Sequence, residues 1–326
     1  MSPDDWPARF TEEALAQVDA FIAAHPGYAR EGVEQPSQGA TNRVIFGRRG
    51  DELVVFKVFC EEERKERELF GLLHWRATGL VPQIVADAGE RMIVMSHVPG
   101  MGVHVSRDAE PEAAWAAASR DLGRALGTLA RVPLSGADRA AFETRFYGGL
   151  ASLEAYLGRI LALGRSIHAR DADFRDGFWR ASLDFAESQM PRLLSERRVL
   201  YHQDAGNHHV LGGRFTGFFD LEMCRVGCGS MQFASALLLP ARGQANWTAM
   251  RQGWEAATGA ALDDAGRRAA LAGFYLLGWR EISRYLSYDG TPGTGFDWAE
   301  PADPARYRRE IEAVHEILEI GPPECR

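Results

Sequence analysis

Residues 199–222, Val199-Leu200-Tyr201-His202-Gln203-Asp204-Ala205-Gly206-Asn207-His208-His209-Val210-Leu211-Gly212-Gly213-Arg214-Phe215-Thr216-Gly217-Phe218-Phe219-Asp220-Leu221-Glu222, form a short β-rich island in a helical part of the chain. Val199 to His202 reads as a strand. Gly212-Gly213 reads as the hairpin turn between HHVL and FTGFF. Two carboxylates then lie at opposite ends of the hairpin: Asp204 follows the first strand and Asp220 ends the last. Such a pair suits phosphoryl transfer, where one carboxylate orients a hydroxyl proton and the other holds the metal that bridges the phosphates. Strand ends fix the backbone while leaving the side chain in an open cleft.

Upstream, residues 32–59 are rich in Val, Ile and Phe, and a turn at Arg49-Gly50-Asp51 separates RVIFG from LVVFKVF. This predicts a β-hairpin. Lys57 interrupts the apolar run from Leu53 to Phe59. A lysine in a buried strand is costly unless a carboxylate pairs with it; the alternative is an edge-strand lysine facing water. The next segment, 61–77, is charged and helical in pattern, and offers Glu61, Glu62, Glu63, Glu66 and Glu68. Apolar spacing over 11–24 predicts a helix ahead of the hairpin. QIVAD (83–87) and RMIVMS (91–96) add two short strands. After Val98-Pro99-Gly100 the texture changes. Ala- and Leu-rich helical patterns fill 112–131, 150–164 and 175–196, and further helices are expected near 231–239, 246–257, 262–286 and 304–319. The fold class is therefore α+β, divided at about residue 98.

The 326 residues allow two such parts with a sizeable core. Hydrophobic residues make up 46% and charged residues 25% of an ordinary globular composition. The net charge of −8 argues against nucleic acid as a partner and is compatible with a cationic small molecule. No apolar run is long enough to span a bilayer. Met1 to Phe10 lacks an apolar signal region, so the expectation is a cytoplasmic protein without a disulfide framework, despite Cys60, Cys224, Cys228 and Cys325. Cys224 and Cys228 have no second ligand pair at zinc-site spacing.

His202-Gln203-Asp204, then Val210-Leu211, the Gly-Gly turn and Phe219-Asp220-Leu221-Glu222, resemble the catalytic segment of aminoglycoside phosphotransferases and their protein-kinase-like relatives. The pattern there is H-x-D-x-x-x-x-N, two strand residues, a turn and a metal-binding Asp. The resemblance implies a two-lobed protein-kinase-like fold. Residues 1–98 would be a small antiparallel β-sheet lobe with one key helix, binding the nucleotide. Residues 99–326 would be a larger, mostly helical lobe carrying the catalytic hairpin and the substrate. It implies Asp204 as catalytic base, Asp220 as main ligand of Mg²⁺ or Mn²⁺, and His202 as a support for the loop. Gln38 to Val44 resembles the phosphate-covering loop, so Gly39, Thr41 and Asn42 are expected at the nucleotide; a plain hairpin turn is the alternative. Lys57 would touch the α/β-phosphates of ATP or GTP. Its implied partner is Glu68, because Glu68-Leu69-Phe70 runs on to Gly79-Leu80-Val81-Pro82 as the family's paired Glu does; Glu66 is the second choice. Met92 to Gly100 is similar to the inter-lobe linker, which places Met95, Ser96 and Val98 at the nucleobase. These pieces occur in the expected order over about residues 37–235.

Two departures stand out. His209 occupies the position of the second metal-binding Asn, with Asn207 two residues early. Magnesium prefers oxygen to imidazole. His209 as a weak second ligand, a reshaped loop using Asn207, or a single metal on Asp220 are the open readings. The second departure is Gly227 to Ala234, where a family stretch like G-D-x-x-x-D-L-A carries acids and this chain has none. The acceptor is expected among acids and aromatics near the C-terminus, with Glu281, Tyr285 and Asp289 as candidates beside Trp279, Tyr288, Asp297 and Trp298. Glu222 would contact the substrate or brace the loop. The expected activity is transfer of a γ-phosphate to a hydroxyl of an aminoglycoside-like antibiotic, sugar or amino alcohol, by a monomer or homodimer. A non-catalytic nucleotide-binding protein is the alternative that His209 motivates. A kinase acting on protein is a third reading, and the absence of an A-P-E-like segment after Asp220 argues against it.

Overall fold

The computed structural model describes residues 6–31, 42–102, 112–147, 150, 152–206, 208–237, 243–286 and 304–321. The chain forms two compact units. The first comprises Met1–Gly100 and Thr216–Met223; the second comprises Met101–Phe215 and Cys224–Arg326.

The first unit begins with α1 (Trp6–Ala24), five residues longer at its start than the predicted 11–24. Pro7 falls in its first turn, where a missing N–H is tolerated. Then come β1 (Tyr28–Arg30), β2 (Asn42–Arg49), β3 (Glu52–Phe59), α2 (Glu62–Trp75), β4 (Ile84–Asp87) and β5 (Met92–Ser96). The strands make one antiparallel sheet in the order β1-β2-β3-β5-β4. The β2–β3 hairpin closes at Arg49↔Glu52 around Gly50, whose φ of 58° suits a tight turn. Strand β3 lies inside the sheet, between β2 and β5, so the edge-strand reading of Lys57 does not hold. Its apolar run is explained by burial on both faces. Val54, Phe56 and Val58 pack with Phe10, Ala14 and Val18 of α1, and strand alternation turns Lys57 and Phe59 to the other face. Residues 216–223 are tied to this unit by Phe218 N–H donating to the Leu80 carbonyl (2.8 Å) and Thr216 Oγ1 to that of Pro99 (2.5 Å).

The second unit contains β6 (Met101–Gly102), α3 (Glu112–Arg131), α4 (Gly136–Phe146), α5 (Leu153–Arg170), α6 (Gly177–Ser188) and α7 (Met190–Ser195). Next are β7 (Arg198–Tyr201), β8 (His208–Leu211) and β9 (Arg214–Phe218), the last crossing between the units, and β10 (Arg225–Cys228). Helices α8 (Gly229–Ala236), α9 (Gly243–Thr258), α10 (Asp264–Tyr285) and α11 (Pro304–Leu318) follow. The expected single helix over 175–196 is two, because Pro191 cannot continue the first and instead sits in the opening turn of the second. Helix α4 went unpredicted although Ser135 caps it, its Oγ accepting from Asp138 N–H at 3.0 Å. Residues 269–277 of α10 are buried all round, as in a helix running through a core. Among the described residues no helix is long and apolar enough to cross a membrane.

The island at 199–222 divides as the Gly-Gly turn predicts, with Gly212 and Gly213 both at positive φ (56° and 70°) between β8 and β9. Its first strand pairs elsewhere. β7 runs antiparallel to β10, with Tyr201 opposite Arg225 and Arg198 opposite Cys228. Residues 202–206, the loop that holds Asp204, follow directly from the end of β7.

Candidate functional site

Lys57 is 3% exposed at the centre of the first sheet, opposite Val44 on one side and Ile93 on the other. Its Nζ donates to Glu68 Oε2 at 2.6 Å and to Asp220 Oδ1 at 2.5 Å, and stands 5.0 Å from the centre of the Phe59 ring. Burial alone pushes the ammonium down. Asp220, Glu68 and Glu222 overcome it and hold Lys57 above its usual range. Glu68 is fully buried and is pushed up to about 7, by burial first and by the Asp220 charge, with Lys57 opposing. One ammonium shared among several acids cannot satisfy each of them: Glu68 Oε1 is buried without a hydrogen-bond partner among the described residues. Of the glutamates of α2, the one chosen by resemblance is the one that reaches the lysine.

Asp220 lies two residues past β9, at φ 60°, and leads into a 3-10 turn at Leu221–Met223. A left-handed backbone is uncommon outside glycine, and aspartate tolerates it better than most residues. Such strain persists where surrounding contacts enforce it. Here they are dense. Glu222 is 3% exposed and accepts from Arg64 Nη1 (2.8 Å) and from Asn42 Nδ2, while its carbonyl accepts from Arg67 Nη1 (3.2 Å). Helix α2 therefore grips the Asp220 segment through Arg64 and Arg67 and grips Lys57 through Glu68. These contacts favour the bracing reading of Glu222 over substrate contact.

Oxygens of Glu68, Asp220 and Glu222 all lie within 4.8 Å of one another. Hard carboxylate oxygens are the donors that Mg²⁺ takes, so the chemistry of this set fits the expected cation.

In the second unit, Tyr201 to Gly206 are all buried except Asp204, which is half-exposed. Neutral and cationic groups hold the loop from several sides. Gln232 Oε1 accepts from His202 N–H at 2.9 Å. Arg225 Nε donates to Gln203 Oε1 at 3.4 Å. His208 Nδ1 is 3.0 Å from the Ala205 carbonyl, and its N–H donates to that of Gly206 at 3.0 Å. Gln232 falls in the stretch where the sequence lacks the family's acids. There an amide oxygen accepts a buried N–H. The residue type hid this, although its position was visible. His209 lies on β8 opposite Gly102, half-buried, on the strand face away from Val210, which packs with Trp115 and Ala118.

The remaining candidates fall out as follows. Asn42 is the first residue of β2, buried, with its amide on Glu222. Met95 is buried in β5 between Val55 and Ile84. Ser96 faces Gln83: its N–H donates to the Gln83 carbonyl (2.8 Å), and its Oγ accepts from Gln83 N–H (2.9 Å). Val98 lies beside Gly217, where a Cβ would stand 2.9 Å from its Cγ1. Glu281, in α10, pairs with Arg280 at 2.5 Å. Trp279 is core, its Nε1 donating to Ser182 Oγ at 3.0 Å. Gly39, Thr41, Asp289 and the side chain of Tyr285 lie outside the described residues.

Residues 32–274 match the model of the phosphotransferase enzyme family. Among solved structures, aminoglycoside phosphotransferase APH(4)-Ia is similar with a TM-score of 0.62 at 16% identity, over 92% of this chain and 99% of that one. A thermostable mutant of the same phosphotransferase, in ternary complex with ADP and hygromycin B, matches with a TM-score of 0.62 at 14% identity, over 90% and 97%. The streptomycin–ATP–APH(2'')-IIa complex matches with a TM-score of 0.54 at 15% identity, over 97% of each chain. At these identities the likeness is one of fold, and the fold is the kinase-like α+β one expected from the sequence. No curated protein matches the sequence.

Proposed function

The chain belongs to the phosphotransferase enzyme family, and from that premise we propose that it moves the γ-phosphate of ATP or GTP to a hydroxyl of a small molecule. The observation that carries this reading is Lys57, buried between Glu68 and Asp220. A lysine in a sheet interior, held by a helix carboxylate, is what positioning of nucleotide phosphates requires.

Lys57 supplies a fixed positive charge to the phosphate oxygens, and Glu68 sets its direction. Asp220 would hold Mg²⁺ or Mn²⁺, with Glu222 bracing its segment; the cation supplies neutralisation of the phosphate charge. His209 is the candidate for a second, weaker ligand. Asp204, half-exposed in an otherwise buried loop, receives the proton of the acceptor hydroxyl. That oxygen forms a bond to the γ-phosphorus as the bond to the bridging oxygen breaks, and the nucleoside diphosphate leaves. Positioning and electrostatics provide most of the acceleration. Gly39, Thr41 and Asn42 are proposed at the phosphates, and Met95, Ser96 and Val98 at the base.

The acceptor is proposed to be an aminoglycoside-like antibiotic, a sugar or an amino alcohol, approached by Glu281, Tyr285 and Asp289. Structural relatives crystallised with hygromycin B or streptomycin support that range by analogy of fold. The second reading, nucleotide binding without turnover, rests on His209.

The test is transfer from ATP and from GTP to a panel of aminoglycosides, sugars, amino alcohols and nucleosides, with Mg²⁺ or Mn²⁺, beside Asp204→Asn and Asp220→Ala. Transfer to one acceptor class, abolished in both variants, supports the kinase reading. Metal-dependent nucleotide binding with no transfer to any acceptor supports the second.

A further inference from the structure

Arg225 is a buried cation with no carboxylate partner among the described residues. It is 7% exposed, at the first position of β10. Its guanidinium donates through Nε to Gln203 Oε1 (3.4 Å) and through Nη1 to the Phe146 carbonyl (2.9 Å). Its Cζ lies 5.7 Å from the centre of the Tyr156 ring. No carboxylate among the described residues pairs with it. Three other buried cations differ: Lys57 has Glu68 and Asp220, Lys65 has Asp87 and Arg67 has Glu63.

An unpaired buried charge is costly, and a core apolar residue would fill the same space at less expense. What distinguishes this guanidinium is where it reaches. Gln203 lies between His202 and Asp204, and Tyr201, opposite Arg225 in the β7–β10 ladder, leads into them. The rigid planar fork joins the side chain of that loop residue to the end of α4, something neither a lysine nor an apolar residue reproduces.

We propose that Arg225 is a positioning residue for Asp204, acting through Gln203. This rests on the reading of Asp204 as the base. With Gln203 clamped against α4, the half-exposed carboxylate of Asp204 keeps a single direction. A misplacement of that carboxylate lowers turnover while leaving nucleotide affinity alone, since the phosphate contacts belong to other residues.

The experiment compares Arg225→Met, Arg225→Lys, Gln203→Ala and the Arg225→Met/Gln203→Ala double variant in the full chain, with Asp204→Asn alongside. Turnover per folded molecule is measured with MgATP and the panel's acceptor, or water in its place. Hydrogen exchange is followed over peptides spanning 199–208. We expect Arg225→Met to lower kcat by about ten- to a hundredfold, with KM for ATP within about twofold of wild type. Gln203→Ala should lower kcat less, the double variant should match Arg225→Met, and Arg225→Lys should regain only part. Exchange at 199–208 should rise in Arg225→Met and in Gln203→Ala. Wild-type kcat in folded Arg225→Met, additive losses in the double variant, or unchanged exchange at 199–208 in Gln203→Ala would each overturn the inference. An active Asp204→Asn would instead overturn the base assignment on which it rests.

Discussion

The Lys57 cluster and the Asp204 loop are both buried polar sites, and they are built on opposite principles. The first is a knot of full charges. Lys57 and Arg64 face three carboxylates, those of Glu68, Asp220 and Glu222, in one cluster. In the second, an amide oxygen, an imidazole and a guanidinium hold the loop through hydrogen bonds. The difference fits the roles proposed for each. Charges that meet phosphates have to be strong and fixed in place. A carboxylate that receives a proton works best where its neighbours hold its direction without competing for the proton.

The largest effect should come from cutting the charged knot. Lys57→Met leaves Glu68 and Asp220 facing each other without their cation, and breaking one partner of such a buried pair costs about 3–5 kcal/mol. Urea unfolding should show a loss of that size together with lost phosphate transfer. A near-wild-type midpoint would mean that the cluster is not the charged unit described.

The loop should respond more mildly and by a different route. Gln232→Leu removes the acceptor of the buried His202 N–H, at about 1–3 kcal/mol. Gln232→Glu keeps an acceptor oxygen and should retain more stability and more turnover than the leucine variant. If leucine and glutamate behave alike, the hydrogen bond does not hold the loop.

The smallest effect belongs to a surface pair that resembles the knot only on paper. Arg165 reaches Asp184 at 3.1 Å and also Glu187, yet all three side chains are over 40% exposed. Arg165→Ala should shift stability by less than about 1 kcal/mol, because water and salt already screen the pair. A loss as large as that of Lys57→Met would show that burial is not what separates the two.

The same contrast decides what the sequence made visible. Lys57 was legible because a charge inside an apolar strand demands a partner, and Glu68 because family spacing narrowed five glutamates to one. The island and its Gly-Gly turn were legible because positive φ at two successive positions calls for glycine. Arg64 was not, since it meets Glu222 across 158 positions and nothing local marks the pair. β10 escaped because Arg-Val-Gly-Cys shows no alternation; its glycine faces the Tyr201 ring, where a Cβ would stand 2.6 Å from the nearest ring carbon. Gln232 and Arg225 act through neutral or unpaired groups on distant loop atoms, and the pattern that names catalytic residues does not name their supports.

The division of labour is tested most directly by titrating MgATP into wild type, Lys57→Met and Asp204→Asn by calorimetry, with phosphate transfer measured on the same samples. The account predicts that Asp204→Asn binds MgATP as wild type does and transfers no phosphate, while Lys57→Met, checked for folding, loses binding. Weakened binding in Asp204→Asn, or full affinity in folded Lys57→Met, would contradict it.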